Sequence, residues 1–218
     1  MEFDRSPSEL LWVNSKKWGP LDKSLLSFSY GYGKIQLVLP EKVKDQRQAG
    51  VIDLPGVKFL TGIMRGRFNP QDGNLYACGM SAWGTSQNMK GGEFYKLRYT
   101  GKPLSTPIGL SAEKDGIVLS FASKLDTSKT KNRTNFEVQT WELLRSHKYG
   151  SKRYNTKTLN ISEVKISNDR KSVKLIIKNI ARVDIMKITY KVKDVQGNLF
   201  EGKIQNTIHG LQKIKAIE

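Results

Sequence analysis

The sequence predicts an all-β chain in two parts: residues 1–104 with the strand spacing of about two blades of a partial β-propeller, and residues 105–218 as a β-sandwich. Three observations carry that expectation. Short apolar and β-branched runs alternate at period two, glycine and proline turn signals separate them, and the rhythm changes across the stretch Gly101–Pro107 with its two prolines.

Residues 24–39 contain two such runs around Gly31 and Gly33 and predict a hairpin ended by Pro40, because proline donates nothing to a central ladder. A second hairpin is predicted over Arg67–Gly79: Pro70 presets a turn, Asp72 can accept from its own backbone, and Gly73 supplies a positive φ before Leu75–Cys78. Beyond the loop from Gly84 to Gly92, Glu93–Tyr99 alternates and predicts a further strand. The hairpin groups beginning at Leu25 and Asn74 lie 49 residues apart, close to the roughly 40 to 50 residues of a propeller blade. Two blades cannot close a ring, so the pattern predicts either more blades before residue 1 or an ordinary sheet.

After the proline-rich stretch, strands are predicted at Gly116–Phe121, Phe136–Trp141, Val164–Ile166, Val173–Ile177 and Met186–Val192. Turn signals at Lys114–Gly116, Asn168–Arg170 and Gln196–Asn198 separate them, the spacing of a sandwich. Residues 145–154 are expected to be an irregular insertion between strands.

Composition narrows the chemistry. One cysteine, Cys78, allows neither an intrachain disulfide nor a CxxC zinc site, and a CxxCH haem attachment is absent. There are two histidines, His147 and His209, and Asp and Glu are scattered singly, so neither a catalytic triad nor a carboxylate pair stands out. No apolar run reaches 18 residues and the start lacks a secretory pattern, although structure beginning as early as Trp12 suggests a piece of a longer precursor. The formal charge is +17, spread as 15 Lys and Arg against 9 Asp and Glu through residue 104, and 22 against 11 beyond it. Such a surface attracts acidic polysaccharide, phosphate or anionic lipid.

Three places could carry binding. Arg65 and Arg67 share one strand face and could hold a carboxylate or phosphate, or simply be an ion-paired face. Trp83, in a Gly- and Ser-rich loop, could stack on a sugar or a base, or pack over the end of its own blade. His147, Lys148, Tyr149, Arg153 and Tyr154 mix cations with rings as anionic polymers require, or dock as a plain loop. No catalytic or metal residue is assigned.

Val118–Phe121, Leu125-Asp126, Asn135–Val138, the turn 167–173 and Tyr190–Asn198 resemble, in that order, bacterial immunoglobulin-like domains. Over nearly the whole chain, Trp12–Ser15, Gly62–Phe68, Leu75–Gly79, Ala82-Trp83, Tyr95–Pro103, Arg153-Tyr154 and Thr207–His209 resemble the C-terminal end of large secreted haem-binding and membrane-bound dehydrogenase-like proteins of bacteria. The resemblance implies a sorbosone- or glucose-dehydrogenase-like propeller and often a cytochrome c domain upstream as partners, with haem c or a quinone with calcium as the parent's cofactors. It further implies a periplasmic or extracellular location. The chain itself is expected to be a non-catalytic capping and binding region. Two alternatives stand: the last blades of an active sugar or alcohol dehydrogenase, and a basic module for acidic polysaccharide or nucleic acid, nucleic acid being the less favoured ligand.

Overall fold

The strands of this computed structural model follow in chain order as β1 (Pro7–Trp12), β2 (Leu25–Ser29), β3 (Lys34–Val43), β4 (Gln46–Lys58), β5 (Gly62–Phe68), β6 (Leu75–Met80), β7 (Gly92–Leu97), β8 (Pro107–Glu113) and β9 (Gly116–Phe121). A one-turn helix, α1 (Thr127–Thr130), precedes β10 (Phe136–Leu143), β11 (Arg153–Leu159), β12 (Ile161–Ile166), β13 (Ser172–Ile177), β14 (Val183–Lys193) and β15 (Leu199–Ile208). The structure describes residues 3–82, 91–104, 106–148 and 150–217. The protein is all-β, built of antiparallel sheets of which none closes on itself. Among the described residues no helix is long and apolar enough to cross a membrane.

Two compact units divide the chain: residues through Val38 with Asp53–Pro103, and Leu39–Ile52 with Leu104 onward, so that β3 and β4 contribute to both. In the first unit β2 pairs with β1 and β3, placing Leu26 between Leu11 and Leu37. Leu26, Phe28, Ile35 and Leu37 are fully buried. The second sheet of this unit is the meander β5–β6–β7. Its first turn uses the chemistry its residues supply: Gly73 sits at φ 68°, Asp72 Oδ1 accepts from Asn74 N at 2.9 Å, and Gly73 N donates to Asn69 O at 2.7 Å. Gly66 lets β5 lie close to β2, since a Cβ there would stand 2.6 Å from the Phe28 ring. Trp18 closes one end against Phe68, edge to face at 5.1 Å, and Phe59 meets Tyr95 in the same way at 4.8 Å.

Pro40 does not end β3, which runs on to Val43. The ladder with β2 covers only Lys34–Val38, so proline falls where β2 asks for no N–H. The long β4 escapes a reading by alternation because two of its inward positions are Gln48 and Gly50.

The second unit holds the order β12-β13-β9-β8 in one sheet, and β15-β14-β10-β11 in another, which β4 joins through Gly50–Ile52 against β15. Alternate positions of both supply the core: Leu119, Phe121, Val173 and Leu175 from the first, Val138, Ile188, Tyr190 and Phe200 from the second. Phe121 and Tyr190 meet edge to face at 5.9 Å. Burial raises the Tyr190 phenol above its ordinary range.

Buried polar groups bolt this unit together. Glu41, on β3, accepts from Ser111 Oγ, the Ala112 N–H and Gln48 Nε2, while Gln48 Oε1 accepts from the His209 and Gly210 N–H groups. On β13, Lys174 is buried with its ammonium 2.7 Å from Glu113 Oε2 and 3.0 Å from Asp115 Oδ1, and it donates to Lys215 O. Burial works to lower that ammonium, but the bonds to Glu113 and Asp115 outweigh it and hold the group above the ordinary lysine range. Glu113 also accepts from Lys215 N, so one ion pair holds both backbone polar groups of Lys215 in place.

Candidate functional site

Strand alternation decides what the first unit shows to solvent. Across β5, β6 and β7 the inner rows are Gly66–Ala77–Tyr95 and Phe68–Leu75–Leu97; the outer rows are Arg65–Cys78–Phe94 and Arg67–Tyr76–Lys96. A bulge between Ile63 and Arg65 re-aims β5 just before its two arginines. Phe94 is 69% exposed, Met80 41%, and Cys78 is exposed. Tyr76 and Phe94 stack at 5.8 Å with 25° between their planes, and the Lys96 ammonium lies 5.4 Å from the Tyr76 centroid.

The cations of this face are oriented by short bonds. Arg65 Nη1 donates to Ser8 O and Met64 O. Arg67 pairs with Glu9 at 2.7 Å, and Glu9 Oε2 also accepts the Gly66 N–H. Lys96 pairs with Asp72 at 3.2 Å. Asp72 is held below the usual carboxylate range, first by Asn74, then by the Tyr76 hydroxyl and Lys96. Arg65 and Arg67 thus share a face, in company with Tyr76, Phe94 and Lys96. In the sequence these three stand out only as strand residues, although their parity marks them as outward. Trp83 lies outside the described residues.

The second unit places its candidates less uniformly. Arg153 and Tyr154 belong to β11 and not to an irregular insertion, which among the described residues covers only 144–148 and 150–152. The Arg153 guanidinium lies 4.4 Å from the centroid of the buried Trp141 ring, so it covers the core edge. Tyr154 is 41% exposed opposite Glu142, and His147 is exposed. Tyr149 lies outside the described residues. Lys148 instead lines a cleft of about 600 Å³ together with Arg145, Leu143, Leu144, Ile185 and His209. His209 and Arg145 reach the cleft from elements far apart in sequence, a meeting that needs the β14–β15 register and that alternation cannot show.

Among the described residues no group of three or more His, Cys, Asp or Glu is placed to hold a metal ion. What both surfaces offer is hydrogen-bond donors, positive charge and apolar area for a ligand. Neither a family model, nor a curated protein, nor a solved structure matches the chain.

Proposed function

We propose that the chain is a binding and presenting region of an exported propeller-type protein, in which the first unit supplies blade-like strands and the second an immunoglobulin-like sandwich. Its ligand is an acidic polysaccharide, taken on the outer face of β5–β7. One observation carries the reading: half-buried Tyr76 and exposed Phe94 stack between Arg65, Arg67 and Lys96 on one sheet face. Rings of this kind lie against the apolar C–H faces of sugars, and oriented guanidiniums meet carboxylates or sulfates in bidentate fashion. Neither feature alone would suffice. Cations by themselves give long-range attraction that any polyanion satisfies, and rings by themselves carry no preference for charge. Capping and holding a haem- or quinone-bearing partner near a polymer would follow from the family likeness, with the redox chemistry supplied by that partner.

Affinity electrophoresis in polygalacturonate and heparin gels tests the reading. The wild-type chain is expected to be retarded, and the Tyr76→Ala/Phe94→Ala double variant to lose about tenfold in affinity at unchanged net charge, from the aromatic contact alone. Arg65→Gln/Arg67→Gln is expected to flatten the salt dependence instead. Equal retardation of the wild type and the aromatic double variant at every salt concentration would reduce the face to nonspecific attraction and sink the proposal.

A further inference from the structure

The cleft at the β10–β11 end of the second unit is independent of the face just described, in its residues and in its chemistry. Its frame is already satisfied. Asp184 Oδ2 accepts the Leu143 N–H at 2.8 Å, and Asp184 O accepts from Thr207 Oγ1 at 2.7 Å. Ser151 Oγ accepts the Leu144 N–H at 2.9 Å, and Ser146 Oγ accepts the Lys148 N–H at 3.3 Å. The two serine hydroxyls and Asp184 Oδ2 thus hold backbone N–H groups of Leu143, Leu144 and Lys148, and the Thr207 hydroxyl holds the Asp184 carbonyl. The cations are not so engaged: the side chains of Arg145 and Lys148 have no ion pair or hydrogen bond among the described residues, and neither does the His209 ring. This contrasts with Arg67, Lys96 and Lys174, each of which has its own carboxylate.

Beside these free donors stand two leucines that the fold leaves in water. Leu143 is 45% exposed and Leu144 56%, with Ile185 lining the same cleft. Single exposed leucines are ordinary. Two in succession, in the wall of a cleft whose cations lack partners, give one ligand an apolar contact and an ionic one at the same time. The cleft volume, about 600 Å³, falls within the range of small-molecule sites. We infer that this cleft binds an amphipathic anion, a phosphate or carboxylate head on an aliphatic body, with Arg145, Lys148 and His209 around the head and Leu143, Leu144 and Ile185 along the body.

Isothermal titration with monomeric dodecyl phosphate, below its micelle concentration, tests this beside inorganic phosphate and phosphatidylglycerol vesicles. Dodecyl phosphate is expected to bind at least about tenfold more tightly than inorganic phosphate, since each methylene withdrawn from water adds to affinity. Leu143→Ser/Leu144→Ser is expected to erase that difference. Arg145→Gln/Lys148→Gln is expected to weaken dodecyl phosphate about tenfold, while the same charge removed at exposed Lys131 and Lys178 leaves it unchanged. All these side chains are exposed, so the variants should fold, which circular dichroism and thermal melting confirm. Vesicle binding that needs the same four residues names a lipid headgroup as the natural source; binding of the monomer alone names a soluble amphiphile. Equal affinities for dodecyl and inorganic phosphate, or an equal loss in the Lys131→Gln/Lys178→Gln control, would overturn the inference.

Discussion

The cations around the candidate surfaces and the buried ion pair of the two units are handled in opposite ways. In the first, Arg67 is anchored at the surface by Glu9 and Lys96 by Asp72, and the half-buried Lys34 pairs with Asp53 at 2.8 Å. In the second, Lys174 is taken inside with two carboxylates, while Arg145 and Lys148 are left outside with none among the described residues. Paired surface charges gain little, because water already solvates them and salt screens them. A buried pair holds its place only while both members remain, because either alone is an uncompensated charge away from water. The difference teaches that net charge says little about function here: the informative cations are those the fold orients beside rings or leaves without partners.

The sharpest way to break this contrast is to remove one member of the buried pair. Lys174→Ala strands Glu113 with only the Lys215 N–H, and is expected to destabilise the protein by about 3 to 5 kcal/mol in urea unfolding. Lys174→Met/Glu113→Leu removes the two buried charges, leaves only the part-exposed Asp115 to be solvated by water, and is expected to recover most of that loss. A single variant as stable as the wild type would show that the pair is solvated after all.

A middle case comes from Glu9, whose carboxylate serves both Arg67 and the Gly66 N–H and whose side chain is 15% exposed. Glu9→Ala is expected to cost about 1.5 to 3 kcal/mol, the range for a hydrogen bond to a charged group, because the Gly66 N–H loses its acceptor. Arg67→Ala, which leaves that backbone bond intact, should cost less than about 1 kcal/mol. Equal costs in the two variants would mean that the ion pair, and not the backbone bond, is what holds β1 to β5.

Alternation made much of the fold legible. The strands at Gly116–Phe121 and Phe136–Trp141, and the turn around Gly73, follow from period-two patterning and turn chemistry, which are local. β4 was not legible, because its inward Gln48 is buried to accept from the His209 and Gly210 N–H groups, a partnership 161 and 162 residues away. β11 was missed for the opposite reason: its residues are exposed through Thr158, so no apolar alternation marks a strand held by β10 on one side alone. The candidate surfaces divide along the same line. Arg65 and Arg67 could be paired from their spacing, whereas the cleft residues meet only through the register of β14 and β15.

The weakest test of the contrast is acid. Asn74, Tyr76 and Lys96 hold the Asp72 carboxyl below its ordinary 3.8, and local hydrogen bonds do the same for Asp126 and Asp169. A carboxyl depressed in the folded state contributes stability that is present above 3.8 and is lost as pH falls through its folded value. Asp4 has the opposite sign: burial raises it, so its contribution is present below 3.8 and lost as pH rises through its folded value. Asp72→Ala is therefore expected to be less stable than the wild type at neutral pH, with the gap in urea midpoint narrowing steadily as the pH is taken below 3.8. A gap that stays constant between pH 7 and pH 2.5 would mean that the residue acts through its turn geometry, and that its charge contributes nothing to keeping Lys96 and Tyr76 in place on the outer face of β5–β7.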